Sequence, residues 1–278
     1  MRKHLGSAAL GALLGTTSPL APMAAAAAAP AVDSAELDST VKSIATQLRQ
    51  TWNADPGTAT LLWPAIEVLP PGQTPLAVCS GANAAASVAT GAQSPALFCA
   101  ASGKVLLDRT RLAREASRHG EWGVVYWVGV GLAKAILGSR PTSLLPPAAA
   151  NLQANCLAGV LIGGTNLQPR PQAPPKPDQL VAPANRAYAT AAAEQMGTRS
   201  QRSYALLTGL GVTDLGGCSD ASMAQLAMDQ VPDPALLTEL ATGTDRAVLN
   251  TLGVIHRRCR RLPNAPCPRQ VPRFSGQK

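Results

Sequence analysis

Aromatic residues make up only 3% of the 278 residues, and histidine occurs three times, at His4, His119 and His256. The Arg-rich C-terminal end holds a single ring, Phe274. That offers no stacking platform for unpaired bases, which argues against a nucleic-acid partner. There is no Gly-x-Ser-x-Gly elbow, no Gly-x-x-x-x-Gly-Lys-Ser/Thr loop and no Gly-x-Gly-x-x-Gly fingerprint, so the sequence-readable hydrolase, nucleotide and dinucleotide sites are excluded. The six Cys show no Cys-x-x-Cys clustering, so they do not read as metal ligands. No internal repeat is present, and beyond the N-terminus no apolar run has the length of a membrane span.

What is present is organised around residues 121–164. Trp122 to Leu137 is apolar at nearly every position, with Lys134 as its one wet residue, the pattern of a helix buried on most faces. It stops at Gly138, and a second apolar helix is expected from Ala148 to Ile162, stopped by Gly163 and Gly164. Two buried helices joined by a short loop are expected to pack as an antiparallel pair.

The second helix reads Asn151-Leu152-Gln153-Ala154-Asn155-Cys156-Leu157-Ala158-Gly159-Val160. This resembles the Glu-Leu-Gln-Ala-Asp-Cys-x-Ala-Gly-Val segment of the neutral zinc metallopeptidase family. The first helix then falls on that family's zinc helix, where Val128-Gly129-Val130-Gly131-Leu132 stands in place of His-Glu-x-x-His. The resemblance implies two zinc-binding His at 128 and 132, a general base at 129, a third ligand at 151 and an Asp orienting a ligand at 155. The chain has Val128, Leu132 and Asn151 at the ligand positions, Gly129 at the base and Asn155 for the Asp. Similar fragments flank the pair: Val41 to Trp52, Phe98-Cys99, Lys104 to Asp108, Gly197 to Arg202 and Gly217-Cys218, with Met196 where the family commonly has His. They cover residues 37 to 218 in the family's order. The expectation is a degenerate, zincin-like metallopeptidase scaffold without zinc and without a catalytic residue.

The matching cysteines imply that Cys156 pairs with Cys218, clamping later helices to the central pair, and that Cys79 pairs with Cys99, tying a hairpin to the preceding loop. Cys259 with Cys267, outside the resemblance, is the third expected pair. An even Cys count of this kind fits an oxidising compartment. Export is also read from the N-terminus, where Met1 to His4, an apolar Leu5 to Leu14 and a small-residue run to Ala29 have the regions of a signal peptide. A periplasmic or extracellular location follows as an expectation.

The net charge of +8 is not spread evenly. Without Arg2 and Lys3 of the signal it is +6, and Arg257, Arg258, Arg260, Arg261, Arg269, Arg273 and Lys278, with no acid among them, leave the rest at −1. The basicity belongs to the tail. It is expected to bind an anionic cell-envelope component or lipid surface.

The remaining chain reads as mainly α with a small β-hairpin, an α+β class. Asp33-Ser34-Ala35-Glu36 reads as a capping box ahead of a helix with Leu37, Val41, Ile44, Leu48 and Trp52 on one face. Residues 55–93 are rich in Gly, Pro, Ala and Ser, with strand candidates at Leu76 to Cys79 and Ala96 to Cys99, the latter turning at Ser102-Gly103. Asp108 caps a helix through Arg118. Residues 167–183 read as an extended Pro-rich connection. Helices are expected at Ala184 to Met196, Arg199 to Leu210, Ser222 to Met228, Pro234 to Ala241 and Thr244 to Arg258. The division is thus a signal at 1–29, a peptidase-like domain at 33–218, and a helical extension with a basic tail at 219–278.

His119 and His256 read as solvated surface residues beside Arg118 and Arg257. Ser117 and His119 are two apart, which on a helix points them to different faces. Two functions remain: an exported, non-catalytic binding or structural module, or a peptidase or other hydrolase with a relocated site.

Overall fold

The computed structural model describes residues 33–80, 94–140, 145–165, 177–186, 193–211, 213, 215 and 217–242. The signal segment, Thr244 to Arg258, the Cys259 and Cys267 pair, His256 and the cations of the tail lie outside the described residues. The described chain is mainly helical with one small sheet. It runs α1 (Ser34–Ala54), β1 (Ala65–Val68), α2 (Pro75–Ser80), β2 (Ala96–Cys99), β3 (Lys104–Leu107), α3 (Arg109–His119), α4 (Glu121–Gly138), α5 (Pro147–Gly163), α6 (Pro177–Arg186), α7 (Ala193–Met196), α8 (Arg199–Gly209), α9 (Asp220–Ala227) and α10 (Pro234–Thr242).

Several helix starts have a local cause. Asp33 accepts from the Ala35 amide at α1, Asp108 from Arg111 at α3, and Ser219 from Ser222 at α9. At α1 the cap is Asp33 alone. The reciprocal capping box occurs instead at α8, where Thr198 accepts from the Gln201 amide and the Gln201 side chain from the Thr198 amide.

α4 is the centre of the molecule. Every residue from Gly123 to Ala133 is buried, and Lys134 is half-buried. It packs against α1, α3, α5, α6 and the sheet. Its mate α5 is equally apolar and in turn carries α8 and α9. Tyr126 meets Asn155, while a β-carbon on Gly129 would touch Ala158 and Ile162.

The close approaches are made at glycines. A β-carbon on Gly209 of α8 would fall on the Cys156 carbonyl of α5, and one on Gly159 of α5 would fall on the Leu206 carbonyl of α8. Backbone therefore lies on backbone, as only glycine permits. The Cys156–Cys218 disulfide sits at the same contact, closing a loop of 62 residues, and Cys79–Cys99 ties α2 to the sheet. Both expected pairings are present.

The sheet has three strands in the order β1-β3-β2, with β2 antiparallel to β3 and β1 parallel to it. The expected hairpin is β2 and β3. The additional strand, β1, is four residues set between Pro64 and Pro70, too short to stand out from the Pro-rich segment around it. Leu76 to Cys79 is helical rather than extended, because Pro75 takes the first helical position and the Thr74 hydroxyl accepts from Ala77. The Pro-rich connection also ends early. Pro177 to Arg186 forms α6, with Pro177 at the start, where its missing amide costs nothing, and Pro183 inside. Of the helix expected from Ala184 to Met196, α6 and α7 supply the two ends, and 187–192 lie outside the described residues.

Replacing Gly209 by Ala is expected to lower stability by more than about 3 kcal/mol, read as a fall in the denaturant midpoint, because no side-chain movement relieves overlap with a carbonyl. A change within about 0.5 kcal/mol would show that the two helices do not meet at this point.

Candidate functional site

The positions that the resemblance marks as a metal site lie on α4 and α5. Val128 and Leu132 are both fully buried, four residues apart and therefore on one face of α4. Gly129 is also buried, and a β-carbon there would sit 3.4 Å from Ile162 and 3.5 Å from Ala158, ordinary contact. The α5 side chains thus line the side of Gly129 on which a general base would project. Of Gly129 and Gly131, the one required by close approach is Gly131, whose β-carbon would lie 2.5 Å from the Val105 side chain of β3.

The two asparagines make structural hydrogen bonds. The Asn151 side-chain amide donates to the Met196 carbonyl at 2.8 Å. Asn155, fully buried, donates to the Asn151 carbonyl at 2.8 Å and accepts from the Tyr126 hydroxyl at 2.6 Å. Met196 is itself buried. The group holds α4, α5 and α7 in register.

Zinc needs lone-pair donors at about 2.0 to 2.3 Å, and a catalytic zinc needs an open position as well. Val128 and Leu132 carry no lone pair, and the amide nitrogens of Asn151 and Asn155 are donors already engaged. These residues do not fit the metal. Among the described residues there is no cluster of three His, Cys, Asp or Glu suited to one.

No protein-family model, curated protein or solved structure matches the chain.

His119 corrects the expectation of a solvated surface residue. It is 5% exposed, with Nε2 at 3.8 Å from Glu115 Oε2. The cause is the tight seat of α3 on α4, where a β-carbon on Gly123 would lie 2.5 Å from the Glu115 carbonyl. That contact turns the last turn of α3 inward. Glu115 also accepts from the buried Trp127 indole at 3.3 Å and pairs with Arg118 at 3.4 Å. Ser117 is exposed while His119 is buried, so the two face apart as their spacing requires and do not form a nucleophile and base.

A second place was not read from the sequence. An open groove of about 520 Å³ lies between α1 and β1, with Lys42, Arg49 and Trp63 on its walls. The only signal for it was the seven-residue spacing of Lys42 and Arg49, which puts both on one face of α1. Its other wall is a strand that the sequence did not reveal.

Tyr126→Phe is expected to cost about 1 to 3 kcal/mol, since it leaves the Asn155 carbonyl oxygen buried without its hydroxyl donor. Adding Asn155→Leu should recover part of the loss in a double-mutant cycle measured by urea unfolding. Additive losses would mean that the pair is not coupled.

Proposed function

We propose that this chain is an exported, non-catalytic relative of the neutral zinc metallopeptidases, with a zincin-like scaffold at 33–218 kept as a binding or structural module. The observation that carries the reading is the state of α4 and α5: side chains at four family positions lack the chemistry of the reaction and are built into the core instead. Buried imidazoles and carboxylates without a metal would each cost a few kcal/mol. Val128 and Leu132 replace that cost with apolar burial, and Asn151 and Asn155 hydrogen-bond within the protein.

Two disulfides support a non-cytoplasmic compartment. Among the described residues no helix is long and apolar enough to cross a membrane. A periplasmic or extracellular location, with release after signal removal, is part of the proposal. So is the role of Arg257, Arg258, Arg260 and Arg261 in contacting an anionic envelope component or lipid.

The purified mature protein is expected to carry far less than one zinc per chain by elemental analysis and to cleave neither casein nor small peptides. Stoichiometric zinc with chelator-sensitive cleavage, lost on His119→Ala or His256→Ala, would instead establish a hydrolase with a relocated site.

A further inference from the structure

The groove between α1 and β1 is lined by none of the five positions that the resemblance marks as a metal site, and what it binds does not depend on those positions. Its acids are neutralised: Asp38 pairs with Arg109 at 2.9 Å and Glu67 with Lys104 at 2.9 Å. Its remaining cations are not. Lys42 and Arg49 are exposed and have no ion pair among the described residues. Arg49 lies over the Trp63 ring at 5.9 Å, and Trp63 packs edge-on against the buried Trp52 at 5.3 Å. One wall therefore offers two positive charges, that of Arg49 above a fixed aromatic surface.

The other wall is a strand edge. β1 is the outer strand of the sheet. The Leu69 amide donates to the Leu107 carbonyl at 2.9 Å, and parallel pairing alternates. The backbone groups of odd-numbered β1 residues thus face β3, and the amides and carbonyls of Ile66 and Val68, two residues that line the groove, point away from β3 and have no partner among the described residues. Backbone groups of this kind are a template for another strand.

We propose that the groove takes an extended, acidic peptide segment of a partner protein, which adds to β1 through the backbone of Ile66 and Val68 and sets its carboxylates against Lys42 and Arg49. Backbone pairing supplies a sequence-independent part of the affinity, and charge selects the acidic sequence. A small anion alone would use the cations and leave the strand edge idle.

The probe is a fluorescein-labelled peptide of alternating Val and Glu, followed by anisotropy with the full mature chain at low salt. A matched peptide, methylated on alternate backbone nitrogens, keeps the charge and loses the donors. Lys42→Glu with Arg49→Glu is expected to weaken binding of the parent peptide at least tenfold, since each exposed charge contact contributes about two- to fivefold and reversal adds repulsion. The methylated peptide is expected to bind at least tenfold more weakly to the unaltered protein. Ile66→Pro, which removes one outward donor at an edge position where proline is tolerated, should reproduce that loss. The methylated peptide carries the test if that variant misfolds. Equal binding of the two peptides, or binding unmoved by the charge reversals, would overturn the proposal and assign the attraction to the basic tail.

Discussion

The contact on which the rest of the structure depends is backbone against backbone, where α5 and α8 meet at Gly159 and Gly209. Because no side chain separates them there, the Leu206 and Cys156 carbonyls set the distance between the helices. Cys156–Cys218 ties the same residue of α5 covalently to the segment between α8 and α9, and such bridges contribute roughly 2 to 4 kcal/mol, largely through the unfolded chain. Both faces of α5 are then committed: one to α8, the other to α4. The side chains of α4 must fill what remains, and this determines what can stand at 128, 129 and 132.

A set of metal ligands on α4 would be expensive to hold without its metal, since such ligands are polar groups in a dry interior. Val128 and Leu132 carry no such cost, since both are apolar and fully buried, and Ile162 and Ala158 pack beside Gly129. Polar character persists only where it is satisfied. Asn155 is held between the Tyr126 hydroxyl and the Asn151 carbonyl, so this pair works as a clamp between helices.

Much of this was legible in the sequence, for identifiable reasons. α4 and α5 were bounded to within about a residue by Gly138, Pro147 and Gly163, because glycine and proline punctuate long apolar runs strongly. The two disulfides followed once Cys156 and Cys218 were placed in order within the resemblance. What failed had weak local signals. α6 was hidden by its own prolines, and β1 was too short to carry an alternation. Leu76 to Cys79 is an apolar run that helix and strand share. His119 was misjudged because its burial comes from the seat of α3 on α4, a tertiary fact that the charge of Arg118 concealed. The groove escaped notice since its walls come from separate segments, and one of them had not been recognised as a strand.

The central claim is that the α4 face carrying Val128 and Leu132, which the resemblance marks for zinc ligands, is closed core. The most direct measurement is equilibrium unfolding of Leu132→Ala beside the unaltered protein. Removing a fully buried Leu from packed surroundings should cost about 2 to 5 kcal/mol, with the slope of the transition unchanged. A loss within about 0.5 kcal/mol, the range of exposed positions, would contradict the account and place Leu132 on an open surface.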